Sequence, residues 1–183
     1  GRCADSHGAR SDFVHARIAS IDTSVAEKVS GVVRVLTAKD VPVNEFGLIT
    51  FDAPVLASDT VRWIGEKVAL VVAETEKQAA RARDLIEVEY EDLPVVSDPR
   101  QAMQLGAPQL HASRGTENNV LVHYRIRKGD VDAGFAKADL VFEHTFHTPT
   151  TDHAFIEPEC SIAVPLPDGR MEIYVGSQIP YQD

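Results

Sequence analysis

Three consecutive patterns between residues 67 and 96 constrain the fold of this chain most strongly. KVALVVAE (67–74) is a continuous apolar run of strand length, which is typical of a strand buried on both faces. Thr75 and Gln78 then form a capping-box pattern that predicts a helix over 75–86. EVEYEDLPVV (87–96) alternates apolar side chains with glutamates, so it predicts a strand with one acidic face. Strand, helix and strand in this order indicate an α/β module.

The residues before this run predict further short elements of the same module. HARIASID (15–22) alternates as a half-buried strand does, and VVRVL (32–36) is β-branched and strand-like. VRWI (61–64) and KVALVVAE flank a Gly-Glu pair, which predicts that the two runs form a hairpin. Residues 1–11 show neither helix nor strand periodicity, and we expect a ragged N-terminus there.

The residues after 97 predict a second, less complete unit. The turn-forming residues of 97–119 indicate a connection with at most one short helix. Beyond it we predict two strands (VLVHYRIRK and LVFEHTFHTP), a helix between them (GDVDAGFAKAD) and a hairpin around Pro167-Asp168-Gly169. Because an isolated hairpin is only marginally stable, these strands are expected to need further polypeptide to pack against. The predicted organisation is a ragged start (1–11), an α/β domain (12–110), a linker (111–117) and an incomplete second domain (118–183).

Composition and charge exclude several classes of function. The net charge is −10 and no run of Lys and Arg offsets it, so we expect no nucleic-acid partner. No apolar stretch approaches the roughly 20 residues that span a bilayer, which predicts no membrane insertion. Cys3 and Cys160 provide neither a disulfide framework nor an iron–sulfur ligand set. With no export signal in the opening residues, these features favour a cytoplasmic protein.

A histidine and carboxylate cluster near residue 150 is the most site-like feature of the sequence. It comprises His144, His147, His153, Glu157 and Glu159. Imidazole and carboxylate groups suit zinc or non-haem iron. His144 and His147 nevertheless lie three apart in a predicted strand, where their side chains would project to opposite faces. We therefore expect ordinary surface or hydrogen-bonding histidines and no metal ligand in this chain.

A serine hydrolase triad is the other chemistry that these residue types could supply. Ser177, His153 and Asp152 provide a nucleophile, a base and an acid. The sequence around the serine is VGSQI, which is not the Gly-x-Ser-x-Gly elbow that exposes a nucleophile in α/β-hydrolases. Gly-rich phosphate loops are also absent from the sequence. Spacing and chemistry alone thus predict a soluble α/β domain followed by a dependent C-terminal piece.

Five stretches of the sequence, all in one register, carry a resemblance to a known family. RSDFVHARIASIDTS (10–24), GVVRVLTAKDVP (31–42) and PVLASDTVRWIGEKVALVVAET (54–75) lie in the first unit; KGDVDAGFAKADLVFEHTFHTPTTDHAFIEPECSIAVP (128–165) and IYVGSQIP (173–180) lie in the second. Together they resemble the molybdenum-binding subunit of the xanthine dehydrogenase and aldehyde oxidase family, with Asp12 and Phe13 departing from its usual Pro and His. The resemblance implies an α+β fold, in which the family's α/β hammerhead precedes the first strands of its molybdopterin-binding domain.

The resemblance also implies an activity, cofactors and partners. The chain would be the N-terminal part of a hydroxylase that hydroxylates a purine, another N-heterocycle or an aldehyde with oxygen from water. The complete enzyme would carry molybdopterin or its cytosine dinucleotide, with 2Fe-2S centres and FAD on other domains or subunits. Its partners would be the remainder of the molybdenum subunit and the iron–sulfur and FAD subunits or domains, and dimerisation is compatible with it. Because the family's glycine-rich motif and glutamate base would lie beyond Asp183, the chain alone is expected to be inactive.

Gln178 is the one cofactor-binding residue that the resemblance assigns, and it assigns no catalytic residue. Gln178 matches the glutamine of the family's Ser-Thr-Gln motif, whose amide contacts an oxo ligand of molybdenum, although Gly176-Ser177 stand in place of Ser-Thr. A neutral amide can orient such a ligand without adding charge. On the residues alone, Gln178 could equally be a strand-end glutamine bonded to backbone or water. The alternative for the whole chain is a non-catalytic interaction or assembly module derived from the family.

Overall fold

The computed structural model describes residues 4–47, 50–112, 117–154, 156 and 160–177. The chain divides into two compact units, residues 1–124 and 125–183. The first unit contains strands β1 (Asp5–Arg10), β2 (Ala16–Asp22), β3 (Val32–Thr37), β4 (Glu45–Phe46), β5 (Ala53–Pro54), β6 (Thr60–Val61), β7 (Lys67–Ala73) and β8 (Glu87–Asp92), and helices α1 (Glu76–Arg83) and α2 (Pro99–Ala102). The second contains helix α3 (Val131–Lys137) and strands β9 (Ser161–Pro165) and β10 (Met171–Val175).

Strand β7 is largely buried on both faces, as its continuous apolar sequence predicts, and it is the middle strand of a three-stranded sheet. It pairs antiparallel with β1 on one side and with β3 on the other. Helix α1 packs on this sheet through Ala79 and Ala82, both fully buried. Thr75 caps the helix, since its hydroxyl accepts a hydrogen bond from the backbone N–H of Gln78 at 3.3 Å. The predicted capped helix is confirmed, although it ends at Arg83 rather than at residue 86.

A second antiparallel sheet has the order β6-β2-β8. Its apolar side chains pack with those of β7 into a core that consists of small residues: Ala9, Ala16, Ala57, Val61, Val68 and Ala69. Alanines let the backbones of neighbouring strands approach closely, and the partly buried Ile18, Val88 and Tyr90 close the edge of this core. The predicted acidic face of β8 is confirmed, because Glu87, Glu89 and Glu91 are exposed while Val88 and Tyr90 are partly buried.

Two predictions for the first unit are wrong. Asp5–Arg10 were expected to be ragged, but they form β1 because their backbone pairs with β7 along the whole strand. The hairpin predicted from 61–64 and 67–74 does not form either: β6 pairs with β2, whereas β7 pairs in the other sheet. Gly65, with φ +95°, turns the chain between them, so the two runs enter different sheets.

The described residues of the second unit form a short capped helix and one hairpin. The predicted helix is confirmed as α3, and Asp130 caps it by accepting the backbone N–H of Ala133 at 3.0 Å. The predicted strands over 120–128 and 140–149 are wrong, because neither segment has a pairing partner among the described residues. Their alternating pattern therefore leaves large apolar side chains exposed, including Ile126, Phe142 and Phe146.

The limits of the predicted linker stay a prediction. The compact units divide between Tyr124 and Arg125, after the expected linker of 111–117, and residues 113–116 lie outside the described part of the chain. The longest described helix, α1, has eight residues, so none of the described helices has the length and apolar character to cross a bilayer.

Candidate functional site

The hairpin of β9 and β10 leads directly into the segment that the sequence marks as cofactor-facing. The two strands pair in register from Ser161 opposite Val175 to Pro165 opposite Met171. Arg170 closes the turn: its backbone N–H and its Nε both donate to the carboxylate of Asp168, at 3.1 and 2.8 Å. Both donors hold the pKa of Asp168 below its usual value, and the guanidinium has the larger effect. The confirmed hairpin thus gives the following residues a defined starting point.

Strand β10 ends at Val175, three residues before the predicted cofactor ligand. The backbone N–H of Gly176 donates to the carbonyl of Cys160 at 3.4 Å, which extends the pairing by one residue beyond the strands. Ser177 follows this last pair. Gln178 itself lies outside the described residues, so its role stays a prediction. The described pairing ends two residues before it, and a paired strand end is a more rigid starting point for a ligand than a long loop.

The histidines of the second unit do not gather around one point. All three histidines, His144, His147 and His153, are exposed. The ring of His144 packs edge-on against that of Phe146, with the ring centroids 4.9 Å apart. Glu157 and Glu159 lie outside the described residues. Across the described ranges, no group of three His, Cys, Asp or Glu side chains is arranged to hold a metal ion. The carboxylate of Asp152 accepts the backbone N–H of Ala154 at 2.7 Å, so this member of the hypothetical triad serves a local turn.

A buried polar junction in the first unit was missed by the sequence reasoning. We define it by Ser11, His15 and Glu66, which are at most 8% exposed although they lie beside an apolar core. The backbone N–H of Ser11 donates to the carbonyl of Glu66 at 2.9 Å, and that of Gly65 donates to the carbonyl of Ser11 at 2.7 Å. The segments 10–24 and 54–75, both quoted above for the resemblance, therefore meet at these bonds.

The carboxylate of Glu66 satisfies a backbone group inside the buried polar junction. Glu66 Oε2 accepts the backbone N–H of Arg62 at 2.5 Å. The guanidinium of Arg62 in turn donates to the carbonyls of Thr60 and Leu110, at 3.1 and 2.8 Å. Glu66 therefore fixes the backbone of Arg62, whose side chain bonds to Leu110, 48 positions along the sequence. This bond holds the connecting segment (residues 97–112 and 117–119) against the rest of the first unit at Leu110.

The other two members of the junction anchor the end of β8. The ring Nδ1 of His15 lies 2.7 Å from the carbonyl oxygen of Pro94. Burial raises the pKa of the Tyr90 hydroxyl, although a hydrogen bond with Ser11 acts in the opposite direction. The ring of Phe13 packs on Tyr90 at 4.5 Å between centroids. One clue in the sequence was His15, which stands between Val14 and Ala16, because a polar side chain buried among apolar ones requires a hydrogen-bond partner.

Asn119 holds the connecting segment in a defined path. Its side-chain amide donates to the carbonyls of Ala102 and Pro108, at 3.0 and 2.9 Å, and its Oδ1 accepts the backbone N–H of Leu110 at 2.9 Å. One side chain thereby satisfies three backbone groups. Asn119 itself has φ +55°, a conformation that asparagine tolerates better than most residues. This last part of the first unit is therefore structured at the positions that the side chain joins.

Two family models match this chain in succession. The aldehyde oxidase and xanthine dehydrogenase a/b hammerhead domain matches residues 6–94, and the molybdopterin cofactor-binding domain matches residues 111–183. The chain belongs to the xanthine dehydrogenase and aldehyde oxidase family. The two three-stranded sheets, the β4-β5 pair and α1 form its hammerhead domain, and the second unit lies within its cofactor-binding domain. The predicted family and the predicted α+β fold are thereby confirmed.

Known proteins of this family are similar to the chain along nearly its whole length. A probable xanthine dehydrogenase subunit of Bacillus subtilis is 43% identical over 175 residues, which cover 95% of this chain and 23% of that protein. The aldehyde oxidoreductase structure from Desulfovibrio gigas has a TM-score of 0.81 at 31% identity and covers 94% of this chain and 20% of its own. The structure of quinoline 2-oxidoreductase from Pseudomonas putida 86 has a TM-score of 0.84 at 27% identity, and the match covers 96% of this chain and 23% of that one. The chain thus spans about a quarter or less of these relatives.

Proposed function

We propose that this chain is part of the molybdenum-binding subunit of a hydroxylase that inserts water-derived oxygen into a purine, another N-heterocycle or an aldehyde. The supporting observation is that the hammerhead and cofactor-binding models match in the family's order, over residues 6–94 and 111–183. The substrate range follows from the names of the relatives, a xanthine dehydrogenase, an aldehyde oxidoreductase and a quinoline oxidoreductase among them.

The match of residues 111–183 to the molybdopterin cofactor-binding domain supports a molybdopterin cofactor. When bound, that cofactor supplies the redox chemistry, and the protein supplies placement and hydrogen bonds. Such a site asks the protein for neutral hydrogen-bond donors rather than for a cluster of anionic ligands. We propose that the amide of Gln178 is one of these donors. The paired end of β10 supports this role, since it fixes the backbone two residues earlier.

The remaining redox groups would be carried by other domains or subunits. Two cysteines cannot ligate an iron–sulfur centre that needs four thiolates, so we assign the 2Fe-2S centres and FAD to partners. The Bacillus subtilis relative is by name one subunit of a dehydrogenase, which supports a complex of several subunits. We further propose a cytoplasmic location, a dimer of the complete enzyme and the cytosine dinucleotide or the simple pterin as cofactor form.

Substitution of Gln178 in the complete enzyme tests this function. We expect Gln178→Ala to lower turnover about 10- to 100-fold while molybdenum content stays unchanged, because a hydrogen bond to the cofactor is lost and its attachment is not. Gln178→Glu should also be impaired, since a carboxylate brings charge and removes the donor. Steady-state rates with xanthine, nicotinate and benzaldehyde, together with molybdenum analysis, provide the readout, and Gln182→Ala serves as the matched control.

The same measurement separates the proposal from a non-catalytic module. Unchanged rates in Gln178→Ala would remove this residue from the site without removing the function. A complete gene product that holds no molybdenum and turns over none of the three substrates would contradict the function itself. That result would favour an interaction or assembly module derived from the family.

A further inference from the structure

A groove on the first unit combines cationic and apolar side chains. It lies between the 3-10 turn Ala26–Lys28 and helix α1 and has a volume of about 730 Å³. Val25, Val29 and Leu85 contribute apolar surface, and Lys28, Lys77 and Arg81 contribute charge. Val25 is 50% exposed and Leu85 37% exposed, so the apolar part is open to a partner. We call this surface the α1 groove.

The charge of the α1 groove is opposite to that of the chain as a whole. The chain has 28 acidic and 18 basic residues, yet the described residues that line this groove include three basic side chains and no carboxylate. Among the acidic residues next to the lining in sequence, Glu27 accepts a hydrogen bond from Thr23, Glu76 Oε1 lies 3.6 Å from His7 Nε2, and Asp84 pairs with Arg83. Lys28 also acts on the carboxylate of Asp22, so the net positive charge of the lining rests mainly on Lys77 and Arg81.

The walls of the α1 groove are held in place by the fold. Helix α1 buries Ala79 and Ala82 against the sheet and begins at the Thr75 cap. The 3-10 turn on the opposite wall is held in place by Ala26, which is fully buried in the same core as Ala79 and Ala82. Both walls are thus set before any ligand arrives, which reduces the entropic cost of binding.

We propose that the α1 groove docks an acidic, amphipathic segment of another polypeptide chain. Carboxylates spaced along one side of such a segment would pair with Lys28, Lys77 and Arg81, and its apolar side chains would cover Val25 and Leu85. The combination of basic and apolar side chains favours a protein segment over a small anion, because a small anion would leave the apolar surface uncovered. Nucleic acid is disfavoured because the net charge of −10 repels its phosphates. The proposal does not depend on the enzymatic function proposed above.

Binding of designed peptides to the full polypeptide tests this docking surface. The probe is a fluorescent peptide of about 15 residues, with Glu on one helical face and Leu on the adjacent face. A second peptide replaces every Leu by Ser and keeps the charge. Lys77→Glu/Arg81→Glu changes the groove, whereas Lys39→Glu/Lys128→Glu makes the same change in net charge at exposed positions outside it. Lys77→Gln/Arg81→Gln gives a milder variant should the double reversal disturb folding.

The proposal predicts that the Glu/Leu peptide binds the unmodified protein and that the groove variant binds it about tenfold more weakly or worse. The control variant should stay within about twofold, and the Glu/Ser peptide should bind more weakly. Hydrogen–deuterium exchange should show protection at residues 25–30 and 75–85. No binding to the unmodified protein, an equal loss in both variants, equal binding of the two peptides or protection elsewhere would each overturn it.

Discussion

The carboxylate of Glu66, only 4% exposed, accepts the backbone N–H of Arg62 at 2.5 Å. This bond makes a buried acid part of the hammerhead scaffold, because Arg62 then reaches the carbonyl of Leu110 and ties the connecting segment to the domain. A buried backbone donor that loses its acceptor incurs its full desolvation cost, so this relationship matters more than an average hydrogen bond.

We expect Glu66→Ala to lower the free energy of unfolding by about 2 kcal/mol, since it leaves the N–H of Arg62 without an acceptor. Glu66→Gln should cost about 1 kcal/mol or less, because the amide oxygen can still accept. Urea unfolding followed by circular dichroism measures both. Glu87→Ala, at an exposed position on β8, is the control and should change stability by about 0.5 kcal/mol at most. Equal stabilities of Glu66→Ala and Glu87→Ala would contradict the scaffold role.

Replacement of Asn119 should loosen the connecting segment. Asn119→Ala removes hydrogen bonds to three backbone groups and puts alanine at φ +55°. We therefore expect the free energy of unfolding to fall by about 2 kcal/mol. The effect should be concentrated in residues 102–110. Amide hydrogen exchange at Leu110 provides the measurement, with Gln104→Ala as an exposed control in the same segment. Unaltered protection of Leu110 in Asn119→Ala would show that other contacts hold this path.

Acid should destabilise the chain partly through Asp40. The backbone N–H of Thr37, at 2.9 Å, and the guanidinium of Arg34 hold the pKa of Asp40 below its usual value. A carboxyl whose pKa is depressed in the folded state contributes stability above its unfolded pKa and loses it as pH falls through the folded value. The urea midpoint should therefore fall as pH drops below about 4.

Asp40→Asn should flatten this decline without removing it, because the pKa values of Asp22 and Asp168 are also lowered by hydrogen bonds. Urea midpoints measured between about pH 2 and pH 6 give the comparison. Asp92→Asn, at an exposed position of β8, is the matched control. Identical pH profiles for Asp40→Asn and the unmodified chain would count against the assigned pKa direction.

The elements that depend on nearby residues could be predicted from the sequence. The Thr75 cap joins residues three apart, and the turn at Asp168 and Arg170 joins residues two apart, so local chemistry was sufficient for both. The continuous apolar run of β7 likewise predicted that this strand is buried on both faces. The family resemblance, carried by ordered motifs, supplied the domain identity that composition and spacing left open.

The elements that depend on distant residues could not be predicted. DSHGAR carries no strand pattern and becomes β1 only because β7 offers a free edge more than fifty residues along the chain. Glu66 looked like half of a hairpin turn, whereas its role depends on Arg62 and, through it, on Leu110. Conversely, the segment 140–149 has a strand pattern but no strand partner among the described residues. Pairing and burial are tertiary properties that one-dimensional patterns do not fix.

Molybdenum content of the complete gene product tests the central claim most directly. The enzyme would be purified under reducing conditions with its associated subunits, and the metal would be quantified by inductively coupled plasma mass spectrometry against polypeptide concentration. We expect about one molybdenum atom per copy of this chain, released together with a pterin on denaturation. An intact, folded complex that contains iron and flavin but no molybdenum and no pterin would contradict it.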